Sequence, residues 1–369
     1  MRIPVIDLST GIAEVRAAWE GRLERILADP HLILGPEGAA FEGEFARATG
    51  AAQVVACGNG TAAIELCLRE SGVTRGSDEV WTTPLTAPFT GIGIISPGAS
   101  IRFADIDPVT LLLDPDDAGN RATRRIKALV AVHLYGHVCE MGRLRTLARS
   151  RGAVLIQDAA QAHGASFQAR PLTAFGRFVT YSFYPTKNLG CLGDGGAIAL
   201  GSGTVAARLS SLRDGGRGPR TADMISRLKG INSRLDEVQA AYLRAALPRL
   251  GEWNARRGAI AEGYDQRLAG CPGVTLLPRP PGSVNHLYVV RAKRRERLRE
   301  FLAARGIGTG VHYPVPLHLH PAFRLCGLKR GDLPHAERAA REVLSLPMWP
   351  QMAPALVDEV AEAICRFYC

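Results

Sequence analysis

Lysine is nearly missing from this 369-residue chain. Only Lys127, Lys187, Lys229, Lys293 and Lys329 are present, so arginine supplies the other 40 of the 45 basic residues. Aromatic residues are also few, at 6%, and the basic side chains are spread from Arg2 to Arg366. A nucleic-acid surface needs charge clustered with rings. The net charge of +10 therefore points to small anions or to a compositional bias toward arginine, and no nucleic-acid partner is expected. The one denser run, Arg291 to Arg299, alternates with apolar residues and reads as the solvated face of a helix. No apolar run reaches the roughly 18 residues of a membrane span. The stretch Met1 to Asp7 lacks the apolar segment of a signal peptide. The expectation is a cytoplasmic protein without a membrane partner. The eight cysteines form no C-x-x-C pair and lie mostly in apolar stretches, which reads as buried reduced thiols and not as a disulfide framework or zinc site. Internal repeats and low-complexity tracts are also lacking.

What is present is an ordinary globular composition, 46% hydrophobic and 22% charged. At roughly 100–200 residues per domain, the length suggests two domains. Short apolar runs at 53–57, 79–83, 101–105, 126–133, 154–158, 178–183 and 196–200 read as strands. Helical patterns at 60–70, 89–95 and 141–150 lie between them. Runs rich in Val, Ile and Leu that alternate with helices predict an α/β fold, with a mostly parallel central sheet sandwiched by helices. The composition shifts near Pro248 to Trp253, after an amphipathic helix over 234–247. A second helix to about Leu268 follows, then strands at 274–277 and 286–290 and a helix at 296–305. The expected division is a large α/β domain, 1–245, and a smaller C-terminal α+β domain, 246–369.

Three motifs carry chemistry. Gly58-Asn59-Gly60-Thr61-Ala62-Ala63 links a strand to a helix, where free N–H groups and the positive helix end favour phosphate. It also fits a dinucleotide fingerprint, but Asp78 and Glu79 precede the second strand where an acid should end it. A turn without ligand is the third possibility. Asp158 ends the strand Val154-Leu155-Ile156-Gln157, at the edge where parallel sheets bind ligands. There it either holds a proton on a heterocyclic nitrogen or caps a helix. Lys187 lies between an apolar strand and the turn Gly193-Asp194-Gly195-Gly196. A lysine that loses solvation in such a place becomes a nucleophilic amine suited to a Schiff base, whereas one on an exposed loop stays protonated. Two histidine groups, His133/His137/Cys139 and His312/His318/His320, invite a metal reading. The first straddles a strand end and the second is interrupted by Pro314 and Pro316, so no metal is expected. The second reads better as a loop presenting His312, Tyr313 and His318 to a polar ligand.

The order of these pieces, a phosphate turn, an acid at a strand end and a lysine 29 residues later, resembles the DegT/DnrJ/EryC1/StrS family of sugar aminotransferases. These are pyridoxal 5'-phosphate (PLP) enzymes of fold type I. The resemblance covers nearly the whole chain. It begins at Leu34-Gly35-Pro36-Glu37 and passes through Gly60-Thr61. Asp158-Ala159-Ala160-Gln161-Ala162-His163-Gly164, Ser182 to Gly196 and Asn232 to Ala241 continue it. It ends with Gly310 to His318 and Leu344-Ser345-Leu346-Pro347. It implies that Lys187 carries the Schiff base and shuttles a proton, and that Asp158 pairs with the pyridine nitrogen. It further implies that Gly60, Thr61 and Ser182 hold the phosphate, and that Gln161 lies near the 3′-oxygen. Asn232 would reach the cofactor of a neighbouring subunit, so a homodimer with shared sites is implied, and His312 and Tyr313 would line a sugar-nucleotide site. Ser182-Phe183-Tyr184-Pro185-Thr186-Lys187-Asn188-Leu189-Gly190 with Gly193-Asp194-Gly195-Gly196 is most similar to the branch that aminates C3 of keto-deoxysugar nucleotides. That similarity implies a dTDP-3-keto-deoxyhexose acceptor and glutamate as donor. One departure is that the aromatic the family stacks on PLP falls here on Ala87. Phe89 is therefore expected to face the cofactor in its place. The competing readings are a 4-keto-sugar aminotransferase, a dehydratase, which would have His at Lys187, a catalytically silent PLP-binding regulator and a nucleotide-dependent oxidoreductase.

Overall fold

A computed structural model describes residues 2–218 and 224–369. Two helices, α1 (Ser9–Ala28) and α2 (Pro36–Thr49), precede β1 (Gln53–Cys57) and α3 (Gly60–Glu70). The chain continues through β2 (Glu79–Thr82), α4 (Pro88–Ile95), β3 (Ser100–Phe103), α5 (Pro115–Arg121), β4 (Ile126–Val132), α6 (Met141–Ser150) and β5 (Val154–Asp158). A small hairpin, β6 (Ser166–Phe167) with β7 (Arg170–Pro171), leads to β8 (Phe178–Ser182), β9 (Gly196–Leu200) and α7 (Ala206–Arg213). After α8 (Glu237–Ala246) and α9 (Leu250–Leu268) come β10 (Val274–Leu276), β11 (Tyr288–Ala292), α10 (Arg295–Ala303), α11 (Pro334–Glu342), β12 (Val343–Leu346) and α12 (Pro354–Tyr368).

Seven strands form one sheet in the order β1-β9-β8-β5-β4-β2-β3. Pairing is parallel from β8 through β5, β4 and β2 to β3, and β9 runs antiparallel to both β1 and β8. β9 is buried at every position, β5 at four of its five, and β4 at all but Lys127. A strand buried on both faces needs helices on both sides, and α2, α3, α4, α6 and α7 pack against this sheet. This is the α/β architecture expected from the strand–helix alternation. The register sets the site: Gly196 is opposite Cys57 on one side and Ser182 on the other, and Asp158 is opposite Thr180. The ends of β1, β5 and β8 thus meet along one edge of the sheet.

A second core gathers Ile3 with Ile260, Tyr264, Tyr288, Val290 and Leu344. On β11, Val289 turns to the larger core while Tyr288 and Val290 turn to the smaller one, as alternation along a strand requires. Leu317, Phe323 and Leu333 also bury into the larger core, and the Leu317 amide donates to Pro84 O at 2.8 Å. The loop bearing His312 and Tyr313 is thereby tied down beside β2. Arg295, in the basic run expected to be solvated, instead has a mostly covered side chain that donates to Ala340 O and Val343 O.

Candidate active site

Helix α3 supplies the anion end of the site. The Asn59 side chain caps it by accepting from the Ala62 amide at 2.8 Å, and Asn59 O takes the Ala63 amide. The amides of Gly60 and Thr61 then have no acceptor among the described residues, as expected at a helix start. Gly60 is required by proximity: a Cβ there would lie 2.8 Å from Ser182 Cβ. A Cβ on Gly196 would similarly lie 2.4 Å from the Asn59 carbonyl carbon. Two free amides, a positive helix end and a serine at the end of β8 make a cradle that fits a phosphate.

Asp158 is buried at the end of β5. Its Oδ2 accepts from Thr90 Oγ1 at 2.7 Å and its Oδ1 from the Ala160 amide at 3.1 Å. Burial raises its pKa, against the lowering effects of those two donors and of Lys187. Lys187 follows β8 on a turn that its own amide closes to Tyr184 O at 2.8 Å. Burial brings its pKa down to about 8, and the nearby Asp158 charge opposes the shift. Its amine has no hydrogen-bond acceptor or ion-pair partner among the described residues. A weakly held amine of lowered basicity beside a buried carboxylate has the properties of a nucleophile and proton carrier.

Around this pair, Gln161 accepts the Tyr135 amide at 2.6 Å and donates to Tyr313 Oη at 3.3 Å. Tyr135 in turn donates its hydroxyl to the His312 carbonyl. His312 Nδ1 is 2.8 Å from Ser345 Oγ, and burial plus the Lys187 charge brings its pKa to about 4. Burial, with the Asp158 charge second, raises the Tyr313 phenol to about 12. Asp158, Gln161, Lys187, His312 and Tyr313 are therefore brought together, with Gly60, Thr61 and Ser182 at the adjoining strand ends. Asn232 is exposed and bridges to Asp214.

One expectation needs correction. His318 is fully covered, with Nε2 on Glu337 Oε1 at 3.2 Å, so it braces the C-terminal segment and offers nothing to a ligand. Phe89 is 67% exposed, and its neighbour Thr90 is the residue that turns inward to Asp158.

Sequence reasoning also missed residues here. Thr90 carries no motif. His286 is buried with Nδ1 on Asn188 Oδ1 at 2.9 Å, and Asn188 also donates to Asn254 Oδ1 at 2.8 Å, joining segments far apart in the chain. His163 was visible in the motif at Asp158 but had no role; it is buried against Tyr181 and Phe183, and burial, with the Lys187 charge second, brings its pKa to about 3.

The DegT/DnrJ/EryC1/StrS aminotransferase family model matches residues 15–365. The dTDP-3-amino-3,4,6-trideoxy-alpha-D-glucose transaminase of Streptomyces venezuelae is 41% identical over 365 residues, covering 98% of this chain and 95% of the relative. A pleiotropic regulatory protein of Geobacillus stearothermophilus is 38% identical over 372 residues, covering 100% of this chain and 99% of the relative. Among solved structures, S. venezuelae DesV superposes with a TM-score of 0.95 at 40% identity, over 100% of this chain and 98% of that one.

Proposed function

Because this chain belongs to the DegT/DnrJ/EryC1/StrS aminotransferase family, we propose that it uses PLP to transfer an amino group from glutamate to C3 of a dTDP-linked 3-keto-deoxyhexose. The observation that carries this reading is Lys187 beside Asp158, at the strand edge where α3 presents its free amides. The residues fit the cofactor: the amides of Gly60 and Thr61 with Ser182 would hold its phosphate, and Asp158 would hold the proton on its ring nitrogen. Bound PLP supplies an electron sink for the carbon that gives up its proton.

The chain's own residues do the rest. A Lys187 pKa of about 8 lets the amine both take and return a proton near neutral pH. Thr90 and the Ala160 amide fix the Asp158 carboxylate, so that it faces a ring nitrogen in one orientation. Gln161 is held between Tyr135 and Tyr313 and would sit near the 3′-oxygen. His312 and Tyr313 would line the sugar pocket. Leu32, Ile33, Leu34 and Leu192 are exposed, and they gather around the start of α8 through the Ile33–Asp236 bridge, Glu237 N to Leu32 O and Leu192 N to Gln239 Oε1. An exposed apolar cluster of this kind suits a second copy of the chain, to which Asn232 would contribute.

The test is a panel of 3-keto and 4-keto dTDP-, UDP- and GDP-sugars with glutamate, with products identified by mass spectrometry and NMR. Amination at C3 of a dTDP-sugar is expected, and exclusive amination at C4 refutes the C3 assignment. The identity to a regulatory protein favours a second reading, a silent PLP-binding regulator, which predicts no product from any sugar.

A further inference from the structure

Among the described residues, nothing at the tip of the Lys187 side chain holds it by a hydrogen bond or ion pair; burial and the Asp158 charge are what act on its amine. Its placement therefore comes from the turn at its base. That turn is closed by local bonds, Lys187 N to Tyr184 O at 2.8 Å and Cys191 N to Phe183 O at 2.7 Å. Between Tyr184 and Gly190, only the Asn188 side chain makes hydrogen bonds to residues outside 182–191, among the described residues.

Asn188 is 2% exposed. Its Nδ2 donates to Val284 O at 3.2 Å and to Asn254 Oδ1, on α9, at 2.8 Å. Asn254 Nδ2 in turn donates to His163 O at 2.8 Å. A backbone carbonyl only accepts, so Val284 O and His163 O fix which way each amide is turned. Asn188 Oδ1 is then an acceptor, and His286 Nδ1, 2.9 Å away, carries the ring proton. Burial holds that ring well below its ordinary pKa, so it is neutral near pH 7 and its one N–H goes to Asn188.

The His286 amide is itself held by Tyr135 O at 2.8 Å. The lysine turn, α9, the segment ahead of β11 and the segment after β5 thus meet at one side chain. Both N–H groups and the oxygen of Asn188 are paired, and a fully paired buried network specifies one arrangement. We propose that Asn188, held by His286 and Asn254, is a positioning residue for Lys187: it fixes the base of the lysine so that the amine stays covered beside Asp158. This rests on the aminotransferase reading above, in which that amine is the reagent.

The test reads the lysine and the fold separately. The pH dependence of PLP capture by cofactor-free protein reports Lys187, and the urea midpoint reports stability. The groups facing Lys187 are Asp158, His163, His286 and His312, with Arg257 and Asp7 on the wall of the same cavity. Asn188→Ala and Asn254→Ala alter none of them, so a moved capture midpoint reports the lysine's own exposure. Wild type should show a midpoint near pH 8. In Asn188→Ala it should rise by about one unit or more, because a loosened turn lets water reach the amine. In holoenzyme, kcat should fall roughly 10- to 100-fold with KM for donor and sugar within about threefold. His286 supplies the conservative rescue. Asparagine there keeps an N–H where Nδ1–H stood, so His286→Asn should recover most of what His286→Ala loses in both readings.

An Asn188→Ala midpoint within about 0.3 unit of wild type overturns the proposal even if the urea midpoint drops, because Asn188 then serves the fold alone. Equal losses in His286→Asn and His286→Ala also overturn it. If Asn188→Ala does not fold, the His286 variants and Asn254→Ala decide on the same readings, and failure of all of them to fold overturns it too. Wild type that captures no PLP on Lys187 overturns the aminotransferase reading itself, and this inference with it.

Discussion

Lys187 shows how burial turns a common side chain into a reagent. Taking an amine out of water disfavours its charged form, and the shift to about 8 leaves a substantial neutral fraction near pH 7.5. The rate at which cofactor-free protein captures PLP should therefore rise with pH, reach its midpoint near pH 8 and level off about one unit above it. A rate still climbing past pH 10, where an ordinary lysine titrates, contradicts this environment for Lys187. The residue was legible in the sequence because lysine is so rare. The partners of Asp158 were less so, since Thr90 reaches it across 68 positions and no local pattern encodes that contact. His318 misled for the same reason. A Pro-rich loop with three histidines looks like a ligand-presenting loop until Glu337, 19 residues on, covers one of them.

At the scale of elements, the strands were the most legible part. Expected runs at 53–57 and 196–200 are found as Gln53–Cys57 and Gly196–Leu200, because strands buried at four or all five of their positions read as apolar runs. Helix α2 shows what local reading leaves out. Its N-terminal amides at Gly35, Glu37 and Gly38 donate to the Glu237 carboxylate at 2.9, 2.7 and 2.9 Å, across some 200 residues. Glu237 is fully buried and opens α8, so one side chain joins two helices. Glu237→Ala leaves three amides without an acceptor and should cost about 3 kcal/mol, read as a drop in the urea midpoint, with Glu237→Gln recovering part of it. An unchanged midpoint for Glu237→Ala contradicts the capping role.

At the scale of the whole molecule, the two cores share β11 and α9. Leu250 and Trp253 of α9 enter the larger core, and Ile260 and Tyr264 enter the smaller. Buried histidines set an acid limit on this assembly. Burial lowers His133 and His137 to about 4 and His163 to about 3, and it places His286 well below its ordinary value. The unfolded chain binds these protons first, so the stability is fully present above the ordinary value of 6.5 and is lost as pH falls toward 4. Each such histidine should cost up to about 1.4 kcal/mol per pH unit in that window. The urea midpoint should therefore fall between pH 7.5 and pH 5.5, and a midpoint that holds or rises contradicts the neutral burial of these rings. The same core holds the lysine and the carboxylate at the sheet edge, on which the account of amino transfer depends. Its most direct test is borohydride reduction of holoprotein, then peptide mass spectrometry. The account predicts one cofactor-derived mass, on the peptide that carries Lys187. The same mass on Lys127, Lys229, Lys293 or Lys329, or on no lysine, contradicts it.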